Sequence, residues 1–188
     1  MIILQVNTFA RDPIDPNIIY VGGSSNSPDA SVLRPAWFIK STNGVEGIWE
    51  TLLPVQTEHV YFNNVVDDIC ITTNPKAIYL GMGGFVLGSK DEGKTWATLI
   101  TDPDHSGEIF SIESSPKDEK HLVAGNGQIF LESLDAGKTW IRLRKPANGM
   151  VWNLNWDKQT DNLYVATIDH SGVYVLPNAS SVRLRDMQ

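Results

Sequence analysis

Two octapeptides set a carboxylate between hydroxyls and a tryptophan. Ser89 to Trp96 reads SKDEGKTW, and Ser133 to Trp140 reads SLDAGKTW. Ser, Asp, Gly, Lys, Thr and Trp recur at one spacing, so the pair is either an active site present twice or one structural device used twice. A second pool of reactive side chains lies in the longer polar segments. Glu58, His59, Asp67, Asp68, Asp102, Asp104, His105, Glu108, Asp169 and His170 supply acids and imidazoles, and Trp37, Tyr61, Phe62 and Trp152 supply aromatic faces. Glycoside hydrolysis requires two carboxylates at a set separation, and Asp68, Glu108 and Asp169 are the candidates for that role. Rings beside carboxylates also suit carbohydrate binding, because sugar C–H faces stack on rings while hydroxyls bond to acids. Trp37, Glu58, His59, Tyr61, His105, Trp152 and His170 are the candidate ligand contacts. The plain alternative is that these loops are polar because they face water.

The elements that would position these groups are strands. Short runs rich in Ile, Val, Phe, Tyr and Trp recur in one order four times, bounded by Pro, Gly, Asn and Asp. The last set, for example, reads MVWNLNW, NLYVAT, GVYVL and VRLR. Apolar residues show no helical spacing. Tyr20, Tyr79, Val123 and Tyr164 hold matching places in the second run of each set, and the insertion SSNSPDASVLRPA lengthens the first set. Four-stranded units at a period of about 40 to 50 residues are the pattern of propeller blades. The chain is therefore expected to be one all-β domain over residues 1–188, a β-propeller of four-stranded antiparallel blades. The blades fall roughly at 1–55, 56–100, 101–145 and 146–188. Four blades could close alone, form half of a homo-dimeric ring, or belong to a larger propeller.

With the strand repeat in place, the octapeptides resemble the Asp-box, or bacterial neuraminidase repeat, of pattern Ser/Thr-x-Asp-x-Gly-x-Thr-Trp. STNGVEGIW (Ser41 to Trp49) is a degenerate copy with Asn43 for Asp, and PNASSVRL occupies the slot in the fourth unit. The whole chain resembles the Asp-box propellers of sialidases, xyloglucanases, sortilin-type receptors and photosystem II assembly factors. Each box falls between a third and a fourth strand. Asp91 and Asp135 can accept from turn N–H groups, and Gly93 and Gly137 allow positive φ. Ser89, Ser133, Thr95 and Thr139 satisfy further backbone, while Trp96 and Trp140 fill the space beneath. The box reads as structure. The resemblance implies that ligands gather on the opposite face, which carries the loops at 54–68, 101–108 and 168–172.

That resemblance points first to a non-catalytic module binding a protein or glycan, and otherwise to a xyloglucanase-like or, less well, sialidase-like glycoside hydrolase. A sialidase would bring three substrate-binding arginines, a Tyr–Glu nucleophile and an Arg-Ile-Pro motif. LRPAW does not match that motif, and Arg11, Arg34, Arg142, Arg144, Arg183 and Arg185 do not recur at blade starts. Compartment stays open, although such families are often secreted or periplasmic. MIILQVNTFARD lacks the basic segment of a signal peptide.

Bulk properties remove other classes. A formal charge of −7 without a Lys/Arg cluster argues against nucleic acid, and no run approaches a membrane-spanning length. Cys70 is the single cysteine, and its neighbours in DDICITT are apolar and β-branched, as around a buried thiol. DPDHSGEIFSIE, Asp102 to Glu113, places Asp102, Asp104 and Ser106 at calcium-loop spacing with Glu113 closing it. Its flanks are β-type and Glu113 falls inside an expected strand. A calcium turn of Asp102, Asp104 and Ser106 alone stays open, and neither a metal site nor a cofactor is assigned.

Overall fold

The computed structural model describes residues 3–26, 36–53, 65–101, 109–127, 129–144, 149–168, 172–181 and 184. These form four antiparallel sheets, each a meander of consecutive strands. The first blade holds β1 (Ile3–Arg11), β2 (Ile19–Asn26), β3 (Ala36–Ser41) and β4 (Trp49–Thr51). The second holds β5 (Val66–Thr73), β6 (Lys76–Met82), β7 (Phe85–Ser89) and β8 (Ala97–Thr101). The third holds β9 (Ser111–Ser114), β10 (Leu122–Gly125), β11 (Phe130–Ser133) and β12 (Ile141–Leu143). The fourth holds β13 (Met150–Trp156), β14 (Leu163–Ile168) and β15 (Gly172–Leu176). The fourth strand expected at VRLR falls on residues 182–185, of which Leu184 alone is described. Leu184 lies outside a strand; it is buried, and its N–H donates to Glu132 Oε1 of the third blade at 2.9 Å.

The blades stack face on face through three apolar seams. Tyr20 and Phe38 of the first blade meet Val66, Ile69 and Leu80 of the second. Tyr79 and Val86 of the second meet Ile112 and Ala124 of the third. Val123 and Phe130 of the third meet Val151, Leu154 and Val165 of the fourth. Among the described residues no comparable core joins the fourth blade to the first, so the four blades form an open arc rather than a ring.

Strand register shows that the innermost strands are superposable. Thr8 pairs with Gly22, Asp68 with Gly81, Ser111 with Gly125 and Asn153 with Ala166. Just before these pairs the register shifts between Val6 and Thr8, Val66 and Asp68, and Val151 and Asn153, as a β-bulge does. The extra residues are Asn7, Asp67 and Trp152. Two of the partner glycines exist to admit a neighbour. A Cβ on Gly22 would lie 2.5 Å from Val66 Cγ1, and one on Gly125 would lie 2.5 Å from Val151 Cγ1. The second and fourth blades thus each push a valine into a notch in the blade before, and the third sets Ile109 against Gly81 in the same way.

Candidate functional site

The two Asp boxes fold alike. In the second blade the Ser89 hydroxyl donates to Asp91 Oδ1 at 2.8 Å and accepts from Gly93 N–H at 2.8 Å. Asp91 also accepts from Thr95 N–H at 2.8 Å and the Thr95 hydroxyl at 2.6 Å. The third-blade copy repeats these bonds through Ser133, Asp135, Gly137 and Thr139, between 2.7 and 2.9 Å. Two successive residues turn left-handed in each box, Glu92 and Gly93, then Ala136 and Gly137. Both Asp carboxylates are occupied in closing a turn, which is the structural role. The tryptophan does more than fill its own hairpin. Trp96 Nε1–H donates to Gly93 O and to Leu52 O of the first blade, and its ring meets Phe38 edge-on at 5.7 Å. Glu92 extends the clasp, with Lys40 of the first blade at 3.1 Å and Lys76 at 2.6 Å. The Lys76 and Lys40 ammonium groups hold its carboxyl down at about 2.

On the opposite face Asp68 is anchored between blades. Its Oδ2 accepts from the Ser111 hydroxyl at 2.8 Å and Ile112 N–H at 2.9 Å, and its Oδ1 accepts from Ile69 N–H at 2.9 Å. Ser111 Oγ in turn accepts from Leu154 N–H at 3.1 Å. Residues 68 and 111 hold the same place in successive blades, so one bond is used twice: an inner-strand side chain receives the next blade's backbone N–H. Burial pushes the Asp68 carboxyl up, and these donors offset it in part.

One residue earlier, Asp67, Phe110 and Trp152 occupy matching places in three successive blades. Phe110 and Trp152 touch, with ring centroids 4.8 Å apart and planes tilted by 42°. Trp152 is half exposed, so the pair presents an aromatic surface at the head of the inner strands. Phe110 escaped the sequence reading because its equivalence to Trp152 depends on strand register. Trp37 is partly buried on β3, beside Gly23, and its indole N–H has no acceptor among the described residues. Glu58, His59, Tyr61, Asp102, Asp104, His105, Ser106, Glu108, Asp169 and His170 lie outside the described residues.

A cavity of about 310 Å³ opens among the inner strands toward the Asp-box end, lined by Arg11, Cys70, Glu113, Glu119 and Lys158 among others. Glu113 lies on β9, in a strand as the sequence indicates. Burial, reinforced by the Asp68 carboxylate, pushes its carboxyl up to about 8. Glu119 accepts from Thr73 N–H, the Thr73 hydroxyl and Asn74 N–H, tying the third blade to a turn of the second. Cys70 is buried, and burial pushes its thiol up, as an unreactive core thiol requires. The sequence signal for this cavity was faint: polar residues at the C-terminal ends of inner strands, on the face that the Asp boxes mark as structural. A further buried cluster sits in the third seam. His121 Nε2 lies 2.9 Å from Glu132 Oε1, and Trp156 packs edge-on against the imidazole at 5.0 Å. Among the described residues no three His, Cys, Asp or Glu side chains gather as a metal site.

Over residues 48–169 the sequence matches the family model of photosynthesis system II assembly factor YCF48. No curated protein matches it. Among solved structures, the chain resembles YCF48 bound to D1 peptide with a TM-score of 0.67 at 16% identity, covering 95% of this chain and 53% of that one. It resembles the GH74 xyloglucanase of Xanthomonas campestris with a TM-score of 0.70 at 16% identity, covering 94% and 30%. A chain of the nidogen/laminin complex gives a TM-score of 0.69 at 13% identity, covering 93% and 61%. This chain therefore spans between 30% and 61% of the length of these structures. At such identities the likeness shows the propeller fold.

Proposed function

The chain belongs to the photosynthesis system II assembly factor YCF48 family, and from that premise we propose that it is a non-catalytic binding module for an extended protein segment. The segment docks on the face opposite the Asp boxes. The observation that carries this reading is the Phe110–Trp152 pair, an aromatic contact left half exposed at the head of the inner strands. Core aromatics are covered, and an exposed one at a concave rim is a natural anchor for a partner side chain. A family member has been solved with a peptide, D1, bound to it. Asp68 favours the non-catalytic side, because both its oxygens already accept hydrogen bonds inside the protein. A general acid or nucleophile needs an oxygen turned toward substrate.

A carbohydrate reading has one observation in its favour, since the same rings could stack on a pyranose face. In that reading Asp68, Glu108 and Asp169 would act as the acid and base or nucleophile. The two readings separate by titration. Fluorescently labelled extended peptides of varied charge and xyloglucan oligosaccharides are titrated against the protein and against Trp152→Ala. The binding-module reading expects a peptide to bind and Trp152→Ala to weaken it at least about tenfold, the loss of a typical hot-spot aromatic. Peptide binding that ignores Trp152 overturns it. Release of reducing sugar that Asp68→Asn abolishes would establish the hydrolase instead.

A further inference from the structure

We propose that the cavity at the Asp-box end of the inner strands binds a small zwitterion of the α-amino acid class, with its ammonium on Glu113 and its carboxylate toward Arg11 and Lys158. Phe110 and Trp152 stand at or near the start of β9 and β13, whereas Glu113 and Lys158 stand at or beyond their far ends. The site is therefore separate from the aromatic surface and does not depend on the peptide reading. Strand register shows how the repeat builds it. Counted from Thr8, Asp68 and Ser111, the residues Ala10, Cys70 and Glu113 hold one place in three successive blades, paired with Tyr20, Tyr79 and Val123. All three line the cavity. Two of them are small, so two blades leave room at the level where the third brings a carboxyl.

The charges around that room are of both signs. Arg11 ends the inner strand of the first blade, and its Nε and Nη2 donate to Pro16 O at 3.3 and 3.1 Å, which fixes the guanidinium beside the cavity. Lys158 follows the inner strand of the fourth blade. Among the described residues Arg11, Lys158 and Glu113 form no ion pair. Other acids at this end of the molecule are engaged: Glu92 with Lys40 and Lys76, Asp161 with Lys117, and Glu119 with Thr73 and Asn74. A carboxyl enclosed without a counter-charge is costly to ionise. Burial pushes the Glu113 carboxyl up, the Asp68 carboxylate adds to this, and the Lys158 charge and the Ser114 backbone offset part of it. A ligand ammonium supplies the missing charge, and Arg11 and Lys158 are left for the ligand's own acid.

Simpler ligands meet only half of this arrangement. A plain amine brings a charge of the same sign as Arg11 and Lys158, and a plain anion leaves the Glu113 carboxyl without a partner. A zwitterion answers both. The volume of about 310 Å³ lies at the small end of the range for ligand pockets, which suits a single amino acid better than a peptide. Ile69 and Ile71 add an apolar wall from the second blade, so an aliphatic side chain is favoured over the bare hydrogen of glycine.

Calorimetric titration of the chain with L-leucine, N-acetyl-L-leucine, L-leucinamide and glycine tests the site. L-Leucine is expected to bind, and each of the other three, lacking the ammonium, the carboxylate or the side chain, to bind at least about tenfold more weakly. Glu113→Gln, Arg11→Gln and Lys158→Gln are each expected to weaken leucine at least about tenfold while still unfolding cooperatively. The titratable and charged groups around Glu113 are Asp68, Cys70, Arg11, Glu119 and Lys158, and its carboxyl holds a proton below about 8. Pairing with an ammonium releases that proton, so leucine affinity is expected to rise between about pH 6 and 7.5, by up to about tenfold per unit. The proposal is overturned if leucine does not bind at millimolar concentration, if any of the three analogues matches it, if all three variants leave its affinity unchanged, or if its affinity does not rise with pH.

Discussion

The Ser111 hydroxyl donates to Asp68 Oδ2 across 2.8 Å, joining the inner strands of the second and third blades. The bond matters because the same serine oxygen receives Leu154 N–H from the fourth blade at 3.1 Å. A carboxylate and a hydroxyl at one repeat position thereby link three blades through two short bridges. Removing Asp68 strands the Ile112 N–H and the Ser111 hydroxyl in a buried seam. Asp68→Ala should cost about 1–3 kcal/mol, the penalty for unpaired buried polar groups. Asp68→Asn should cost less, since it keeps one acceptor oxygen and discards a charge that burial disfavours. Urea unfolding of the two variants gives the comparison, and equal losses would contradict it.

The notch at Gly22 sets a steric limit. A methyl there would sit 2.5 Å from Val66 Cγ1 and 3.3 Å from Thr8 Cγ2. Gly22→Ala should destabilise by roughly 1–3 kcal/mol as the seam is forced apart. Adding Val66→Ala should recover part of that loss, with a coupling of about 0.5–3 kcal/mol between contacting sites. A double-mutant cycle in denaturant measures it, and strict additivity would mean the contact is not formed.

Glu113 should make stability depend on pH through the neutral range. Its carboxyl ordinarily titrates near 4.5 and is pushed up to about 8 in the fold. Between those values the folded chain holds a proton that the unfolded chain has lost, so stability falls as pH rises, by at most about 1.4 kcal/mol per unit. Above about 8 the slope ends. Glu113→Gln should flatten this limb, leaving a melting temperature higher than that of the parent protein at pH 8 and similar at pH 4.5. Melting curves of both proteins across the range decide the matter.

Asp91 should act at the acid end with the opposite sign. The Thr95 hydroxyl and N–H hold its carboxyl at about 2, against 3.8 for the free side chain. Its contribution is complete above about 4 and is lost as pH falls through about 2. Thr95→Val removes the strongest donor and should move the acid-unfolding midpoint upward in pH. An unchanged midpoint would show that the turn does not depend on this bond.

The repeat explains how far the amino-acid order alone reaches. Ser89 to Trp96 and Ser133 to Trp140 carry every group of their turns within eight residues, so their bonds are local and the sequence dictates them. The alternating runs around Tyr20, Tyr79 and Tyr164 likewise dictate strands, their order and the blade spacing. Chemistry assembled across blades was not legible in this way. Asp68 looked like a free rim carboxylate because Ser111 and Leu154 lie a full repeat or two away. Phe110 drew no attention until register set it beside Trp152. Glu113 read as one more strand residue until packing enclosed it. Local hydrogen bonding and side-chain alternation are properties of neighbours in sequence, which the sequence by itself determines. Burial and pairing across seams are properties of neighbours in space, which only the stacking of the blades decides.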